Sequence, residues 1–139
     1  MPITSKPANA RPLLLPTWRA VKADPLLPAA WSRQSLAKKL SNFRLLGLFD
    51  GARAIGCAGI KGEQLHIAID PAYQGKWFSP RIARDILNFG FGHSPARLVA
   101  VVHQADAVTA RLVASAGFTR AGRRPPFDTW ELTPAARRY

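Results

Sequence analysis

The chain has 139 residues, of which 47% are hydrophobic and 20% are charged. This length supports one hydrophobic core rather than two, and this composition excludes a disordered or fibrous chain. Because 20 Lys and Arg stand against only 8 Asp and Glu, the net charge is +12, which favours acidic partners such as phosphates, nucleic acid or an acidic protein surface.

The cysteine count and the lengths of the apolar runs exclude further classes of protein. The single cysteine, Cys57, excludes an internal disulfide and a cysteine-rich zinc site, and we predict no metal. No apolar run approaches the roughly 20 residues that cross a bilayer. Residues 1–6 lack the charged-then-apolar order of a signal peptide. We therefore expect a cytoplasmic protein without a membrane segment.

The first 28 residues contain 6 of the 12 prolines. Proline fixes φ and lacks an N–H group, so this pattern predicts only short pieces of regular structure here. Leu13–Leu15 and Trp18 indicate that part of the segment still packs as a strand or a lid. We predict a proline-rich N-terminal segment at 1–28 and a single domain at 29–139.

The next elements are a helix and a pair of strands. Residues 32–40 have leucines four positions apart among solvated cations, as in a short amphipathic helix. Strand-like runs follow at 43–49 and 53–60. Asp50 and Gly51 between them predict a tight hairpin, because both residue types tolerate a positive φ.

The second half of the chain alternates strands with helices. Residues 65–69 predict a third strand. Ser79 and Pro80 then begin a helix, as a hydroxyl cap followed by a proline, and Gly90 can end it. Residues 97–102 predict another short strand.

A second helix and a last strand complete the pattern. Asp106 can cap a helix that Gly117 closes, with Phe118 as the apolar contact after it. A basic turn at 120–124 precedes a strand at 129–132. The order predicts an α+β (mixed α/β) fold, in which a hairpin sheet joins a β-α-β crossover.

The segment 67–80 carries the strongest functional signal. A strand ends, a polar loop with Gly75 and Lys76 follows, and a helix begins at Ser79. The first N–H groups of a helix have no intrahelical acceptor, and the helix dipole places partial positive charge there. A loop that brings further amides to this end predicts a phosphate-binding cradle.

This segment resembles the central motif of the GCN5-related N-acetyltransferases. In that motif a strand leads through a proline and an aromatic residue into Gln/Arg-x-x-Gly-x-Gly/Ala at the start of a helix. The matching residues are Ile69, Pro71, Tyr73, Gln74, Gly75 and Lys76. Trp77 stands where the first motif glycine is usual, and Ser79 stands where the second Gly or Ala is usual.

Residues 97–118 resemble the next motif of the same family, a short strand followed by Asn and by a helix that ends in Gly-Phe. Asp106 falls at the Asn position, and Gly117 and Phe118 match the end of the motif. The resemblance covers residues 43–132. It implies a central mixed sheet with splayed parallel strands, flanked by helices.

The resemblance also implies a binding site for acetyl-CoA as co-substrate. The pantetheine arm would lie between the splayed strands and pair with the backbone of Ile67 and Ile69, and the amides of residues 74–79 would hold the pyrophosphate. Trp77 would contribute only its N–H group, with its ring pointing away. The implied cofactor-binding residues are Ile67, Ala68, Ile69, Gln74, Gly75, Lys76, Trp77, Phe78, Ser79 and Asp106.

Proton transfer is where the sequence departs from the family. The resemblance places Val113 at the Tyr that protonates the leaving thiolate in many members, and Val101 near a Glu that serves as base in some. Transfer would then depend on proximity, with proton relay through water. His103, Glu63 and His66 are the candidate bases; a surface or core histidine and a turn carboxylate are the structural alternatives.

The resemblance implies an acetyl-CoA-dependent N-acetyltransferase that acts on a primary amine of a protein or small molecule. The alternative is a non-catalytic protein of the same fold, which holds an acidic protein or nucleic acid on its basic surface. The retained cradle favours the enzyme, and Val113 favours the alternative. Because the cations are dispersed and no zinc finger or RNA-binding motif is present, we do not expect specific nucleic-acid binding.

Overall fold

The computed structural model of the chain describes residues 2–24 and 32–139, within which one seven-stranded sheet is flanked by four helices. The strands are β1 (Ile3–Pro7), β2 (Arg44–Asp50), β3 (Arg53–Lys61), β4 (Gln64–Ile69), β5 (Leu98–His103), β6 (Thr119–Arg124) and β7 (Phe127–Leu132). The helices are α1 (Ala10–Ala23), α2 (Arg33–Leu40), α3 (Pro80–His93) and α4 (Ala107–Ala116). The predicted α+β fold is confirmed.

The sheet joins two antiparallel groups along one parallel seam. Its strand order is β1-β2-β3-β4-β5-β7-β6, and β4 with β5 is the parallel pair. A parallel pair needs a crossover rather than a hairpin, and α3 supplies it between β4 and β5. The predicted β-α-β unit is therefore present at the centre of the sheet.

Two glycines form the tight turns of the antiparallel group β1 to β4. Gly51 (φ 61°) and Gly62 (φ 62°) are each the first residue of a two-residue loop, the position that is glycine in type II′ turns. The predicted hairpin is confirmed, although its loop is Gly51 and Ala52 rather than Asp50 and Gly51. Asp50 remains in the ladder, opposite Arg53.

Helices pack on both faces of the sheet. On one face, Ile82 and Ile86 of α3 pack with Leu98 of β5 in the larger core cluster. On the other face, Leu13 of α1 and Leu36 of α2 belong to a second, smaller cluster. The helices thus place apolar residues against the sheet, and none in the described residues is long and apolar enough to cross a membrane.

The two predicted caps, Ser79 and Asp106, are present, and Ser32 caps α2 as well. Each cap side chain accepts a hydrogen bond from a backbone N–H of the first turn, and Gly117 ends α4 in the left-handed region with φ 106°. The caps are Ser32 for α2, Ser79 for α3 and Asp106 for α4. These boundaries are local, so the sequence alone could predict them.

The N-terminal segment differs from its prediction. Instead of short pieces it forms β1, which pairs with β2, and the 14-residue helix α1. Pro12 lies in the first turn of α1, where no helical N–H bond is lost, and burial of the apolar face offsets the cost of Pro16 inside the helix. Pro7 is tolerated because β1 is an edge strand. The boundary predicted at residue 28 lies outside the described residues.

The predicted end of α3 is also wrong. The helix does not stop at Gly90 but continues to His93. Gly90 instead lets the helix approach β5, because a Cβ at this position would lie only 2.8 Å from Leu98 Cδ1. The glycine therefore serves packing rather than termination.

The residues predicted as a basic turn, 120–124, lie in strand β6. This strand pairs with β7, and the Nε atoms of Arg120 and Arg123 lie 3.5 Å and 3.2 Å from the carboxylate of Asp128. All six residues of β6 are exposed, so no apolar alternation marks the strand in the sequence. The strand is stabilised instead by its backbone hydrogen bonds to β7 and by the ion pairs between the two strands.

Candidate active site

Strands β4 and β5 separate into a cleft. Their pairing is confined to Gln64 and Val99, with the Val99 N–H donating to the Glu63 carbonyl at 2.8 Å. A cavity of about 660 Å³ opens between the strands, lined also by the loop after β4 and by α4. The predicted splay is confirmed.

The edge of β4 that faces this cleft has no strand partner among the described residues beyond Gln64, although the Ile69 carbonyl accepts the Gln74 side-chain amide at 3.5 Å. The Asp70 N–H donates to the Ile55 carbonyl at 2.8 Å, so the Asp70 backbone faces β3. Because alternate residues of a strand address opposite neighbours, the backbone of Ile67 and Ile69 faces the cleft, whereas that of Ala68 pairs with β3. An extended chain can therefore add to this edge through Ile67 and Ile69, but not through Ala68.

Asp70 fixes the loop that follows β4. Its buried carboxylate accepts the Ala72 N–H at 3.0 Å and lies 3.2 Å from Arg19 Nη1 of α1. Gly75 then adopts φ 77°, in the left-handed region that favours glycine. Nothing lies within 4 Å of a Cβ built at Gly75, so backbone conformation rather than space explains this glycine.

Several N–H groups at the start of α3 have no hydrogen-bond acceptor within the described residues. They belong to Gly75, Trp77, Phe78, Ser79 and Arg81. The N–H groups of Gln74 and Lys76, in contrast, donate to the Pro71 and Tyr73 carbonyls at 3.3 Å and 3.0 Å. Such an array of free donors at a helix N-terminus suits an anion.

Side chains around these amides make the mouth of the cleft electropositive. The Trp77 ring is buried in the core, as the resemblance required, and Phe78 is partly exposed beside it. Lys76, Arg81 and Arg111 make no ion pair in the part of the chain that the structure describes, and Arg111 lines the cleft from α4. These cations add to the partial charge of the helix terminus.

Helix α4 forms the other wall of the cleft. Asp106 caps it: Oδ1 accepts the Thr109 N–H at 3.0 Å, and Oδ2 accepts the Thr109 hydroxyl at 2.6 Å. Val113 of α4 and Val101 of β5 both line the cleft. Neither has a proton to exchange, so the cleft has apolar contacts where the resemblance implies an acid and a base.

His103 lies in the cleft at the end of β5. Its Nδ1 accepts the Ala105 N–H at 3.0 Å, and its ring meets Phe127 edge-on with centroids 5.4 Å apart. A neutral histidine whose Nδ1 accepts a hydrogen bond carries its proton on Nε2. The ring therefore offers a donor rather than a free lone pair, and this geometry gives no support to His103 as a base.

His66 also lines the cleft, from β4. Its ring meets Phe43 edge-on with centroids 5.2 Å apart, and its Nε2 lies 3.3 Å from Gln64 Oε1. Loss of water around the ring and, second, the charge of Lys61 lower the pKa of His66. The ring is therefore neutral at pH 7, and His66 stays a candidate base.

Glu63 lies outside the cleft, in the turn between β3 and β4. Its carboxylate binds Arg97 through two hydrogen bonds of 2.9 Å and 3.1 Å, and Arg97 also binds Glu131 of β7. The hydrogen bond from Arg97 lowers the pKa of Glu63, which makes it a weaker base. No group of three or more His, Cys, Asp or Glu among the described residues could hold a metal ion.

Tyr73, the aromatic residue of the loop motif, points away from the cleft. Its hydroxyl donates to Asp50 Oδ2 at 2.7 Å, and the Arg53 guanidinium lies 5.4 Å from its ring centroid. The hydrogen bond to Asp50 raises the pKa of Tyr73. Tyr73 therefore anchors the loop to the β2–β3 hairpin.

Three contributors to the site were not predicted from the sequence: Arg81, Arg111 and Phe127. The free N–H of Arg81 had a local signal, since it follows a proline at the first helical position. Arg111 and Phe127 had none. Phe127 reaches His103 only because β7 pairs antiparallel with β5, which places the two residues opposite each other.

The chain is similar in sequence to a known acetyltransferase. Over 110 residues it is 34% identical to the N-alpha-acetyltransferase RimI of Mycobacterium tuberculosis, a match that covers 73% of this chain and 66% of that protein. The chain thus spans just under two thirds of the length of this relative. No protein-family profile matches the chain.

Solved structures show the same fold at low sequence identity. The PaiA N-acetyltransferase of Thermoplasma acidophilum, in complex with coenzyme A, gives a TM-score of 0.70 at 14% identity over 96% of this chain and 99% of that one. The ribosomal-protein-S18-alanine N-acetyltransferase of Escherichia coli gives 0.68 at 17% identity over 93% and 90%. With the splayed strands and the loop of free amides, these similarities show that the chain belongs to the GCN5-related N-acetyltransferases, a family of acetyl-CoA-dependent enzymes.

Proposed function

We propose that this protein transfers the acetyl group of acetyl-CoA to the α-amine at the N-terminus of a peptide or protein. The observation that carries the proposal is the cleft edge, where the backbone of Ile67 and Ile69 is open to a further extended chain. At the same end of β4 stand the free amides that begin with Gly75. A pantetheine arm that ends in a pyrophosphate is complementary to both features.

The phosphate groups of CoA fit the charges at the cleft mouth. Lys76 and Arg81 lie on the loop and the first turn of α3, and Arg111 lies on the facing wall. Backbone N–H groups and unpaired cations bind phosphate through charge-assisted hydrogen bonds. A neutral acceptor, in contrast, gains nothing from these charges, so we assign them to the cofactor.

The acceptor class follows from the scarcity of proton acceptors in the cleft. Val101 and Val113 cannot accept a proton, and Nδ1 of His103 and both carboxylate oxygens of Asp106 already accept hydrogen bonds. The other titratable acceptors that line the cleft are the neutral ring of His66 and the carboxylate of Asp24 at the end of α1. The amine must therefore arrive largely deprotonated. At pH 7.5 the neutral fraction of an α-amine, with an ordinary pKa of about 7.8, exceeds that of lysine, at about 10.4, by roughly 270-fold.

The reaction then needs little from the protein beyond positioning. The amine nitrogen attacks the thioester carbonyl carbon, the C–N bond forms, the C–S bond breaks, and CoA leaves as a thiolate. The surplus proton of the nitrogen goes to water or to His66. Ile67 and Ile69 orient the cofactor chain, while Val101 and Val113 provide an apolar wall. Holding two reactants in contact supplies a large part of such a rate enhancement.

The names of two similar proteins support an N-terminal acceptor. RimI of M. tuberculosis is an N-alpha-acetyltransferase, and the E. coli structure is that of a ribosomal-protein-S18-alanine N-acetyltransferase. We therefore propose a protein N-terminus as the acceptor, with a ribosomal protein as one candidate.

Cofactor binding is tested by thermal unfolding of the full chain with acetyl-CoA. Ligand at about 100 times its Kd should add about 2.7 kcal/mol to the free energy of unfolding. Acetyl-pantetheine, which lacks the phosphates, is the matched control and should stabilise far less at the same concentration. No shift with acetyl-CoA would contradict the cofactor assignment.

Transfer is tested by thiol release with two peptides of matched composition. One has a free N-terminus and no lysine, and the other is acetylated at its N-terminus and contains one internal lysine. We expect turnover of the first at a rate about 100-fold above that of the second, because of the difference in neutral amine. Equal rates would contradict the α-amine assignment. Thiol release with neither peptide, while acetyl-CoA still binds, would favour the non-catalytic alternative.

A further inference from the structure

His103 is held in a tautomer that cannot take a proton from the acceptor amine. The Ala105 N–H donates to Nδ1 at 3.0 Å. If Nδ1 were protonated, its N–H would point at the N–H of Ala105, and two donors cannot form a hydrogen bond. This contact therefore favours the neutral ring with its hydrogen on Nε2. His103 therefore has one free group, a hydrogen-bond donor.

The ring lies on the acceptor side of the sheet. Along β5, Leu98, Ala100 and Val102 are buried in the core cluster that contains α3. Val101 and His103 alternate with them and so face the opposite side, and Val101 is 44% exposed. The free amides belong to the start of α3, which packs on the other face, while the cleft is lined by both His103 and Gly75.

The position of His103 is fixed from β7. His103 stands opposite Phe127 in the β5–β7 ladder, with the rings edge-on. The next residue, Gln104, donates its N–H to the Pro126 carbonyl at 2.8 Å and its side-chain amide to Asp128 Oδ1 at 3.1 Å. A donor held at both flanks is preorganised for one acceptor atom.

We propose that His103 binds the acceptor, with Nε2–H donating to the carbonyl oxygen of the first residue of the peptide. This inference rests on the proposed N-terminal acceptor, since every such peptide carries a carbonyl two bonds from its amine. No proton is transferred in this contact. His103 then sets acceptor affinity, and simple amines without that carbonyl are poor substrates.

Charged groups near the His103 ring form hydrogen bonds or ion pairs with other residues, or lie on other walls of the cleft. Both carboxylate oxygens of Asp106 bind Thr109, and Asp128 binds Gln104 and the arginines of β6. The remaining titratable residues that line the cleft are Asp24 at the end of α1, Arg111 on α4 and His66 on β4. No hydrogen bond or ion pair among the described residues joins these groups to Nε2 of His103, so its N–H is left for the acceptor.

The test compares His103→Gln with His103→Ala on two acceptors. Glutamine keeps an N–H donor but cannot titrate. The acceptors are an N-terminal peptide and the same peptide with a thioamide at its first bond, because sulfur accepts hydrogen bonds poorly. His93, on the exposed end of α3 outside the cleft, provides the control variant His93→Ala.

We expect His103→Ala to raise the KM for the normal peptide about 10-fold, and His103→Gln to raise it by less than about 3-fold, as for one hydrogen bond. The thioamide should cost the wild type about as much as the alanine substitution costs, and the alanine variant should lose nothing further. If the thioamide and the alanine substitution each cost their full factor when combined, the proposed hydrogen bond is overturned. A loss confined to kcat, or equal in the glutamine and alanine variants, would also overturn it.

Nitrogen-15 NMR provides a readout that does not need turnover. The long-range proton–nitrogen pattern of His103, assigned by its loss in His103→Gln, should show a protonated Nε2 and an unprotonated Nδ1 at pH 7. The Nε2–H resonance should move when the peptide binds and move less with the thioamide. The opposite tautomer, or no movement on binding, would overturn the proposal. Absent turnover with normal NMR shifts would instead count against transfer itself.

Discussion

The two ends of the cleft are built in different ways. The phosphate end comes from one continuous segment, from Asp70 to Arg81, in which a loop and a helix start present free amides. The acceptor end is assembled from distant elements, with His103 from β5, Phe127 from β7 and His66 from β4. The phosphate end therefore forms in any chain that keeps the local motif, while the acceptor end depends on strand register.

The ends also differ in electrostatics. At the phosphate end lie the dipole of α3 and the cations Lys76 and Arg81, which make no ion pair in the described part of the chain, whereas the acceptor end is lined by valines, Phe127, neutral His66 and His103. An anionic ligand is bound mainly by charge, and a neutral amine mainly by shape and hydrogen bonds. Variants should therefore separate cofactor affinity from acceptor affinity.

The largest expected effect is at Gly75, which has φ 77°. Asp and Asn both tolerate this backbone region better than other non-glycine residues. A comparison of the two substitutions therefore isolates the effect of the charge. Gly75→Asp places a carboxylate among the free amides and should weaken CoA binding about 100-fold, since like charges in contact cost several kcal/mol. Gly75→Asn should change affinity by less than about 3-fold. Calorimetric titration measures both, and equal losses would contradict an anion site.

A second prediction separates the two backbone edges of β4. Ile67→Pro removes an N–H that faces the cleft, so the ladder with β3 keeps its bonds and the chain should fold. CoA affinity should fall about 10-fold for the lost hydrogen bond. Ala68→Pro removes an N–H that faces β3 and should lower the thermal stability instead. Retained CoA affinity in a folded Ile67→Pro variant would show that the cofactor does not pair with this edge.

The third prediction concerns the junction between the two ends, where Val113 lines the cleft. Val113→Tyr introduces a proton donor and should raise kcat about 10-fold, at the low end for general acid catalysis because a thiolate is a good leaving group. Val113→Phe, which adds the same ring without the hydroxyl, is the control and should give no increase. A gain in both variants would attribute the effect to packing.

The smallest effect is expected at Asp128, which supports the acceptor end. Hydrogen bonds from Gln104 and then from Arg123, with the charge of Arg120, lower the pKa of Asp128 in the folded state. Its stabilising contribution is therefore present above the unfolded value of about 3.9 and is lost as pH falls through the lower folded value. Urea unfolding of wild type and Asp128→Asn should show a difference at pH 7 that shrinks as the pH falls below the unfolded value of about 3.9. A pH-independent difference would contradict this account.

The sequence predicted the phosphate end better than the acceptor end. Ser79 as a cap and the splayed strand at Ile67 were both predicted and are present in the structure. Tyr73, a residue of the loop motif, and Glu63, a candidate base, are instead bound to Asp50 and Arg97. Those partners lie 23 and 34 residues away in the chain, beyond the range of any local pattern.

By itself the sequence determined the features that arise within a few residues: caps, turns, helix starts, and the loop whose amides gather at α3. Such features depend on contacts between positions up to about four apart. Tertiary structure decided which side chains meet in the cleft, that Pro16 lies within a helix, and that the arginines of β6 form a strand. Each of these depends on register and burial, because hydrogen bonds and packing between distant elements outweigh local propensity.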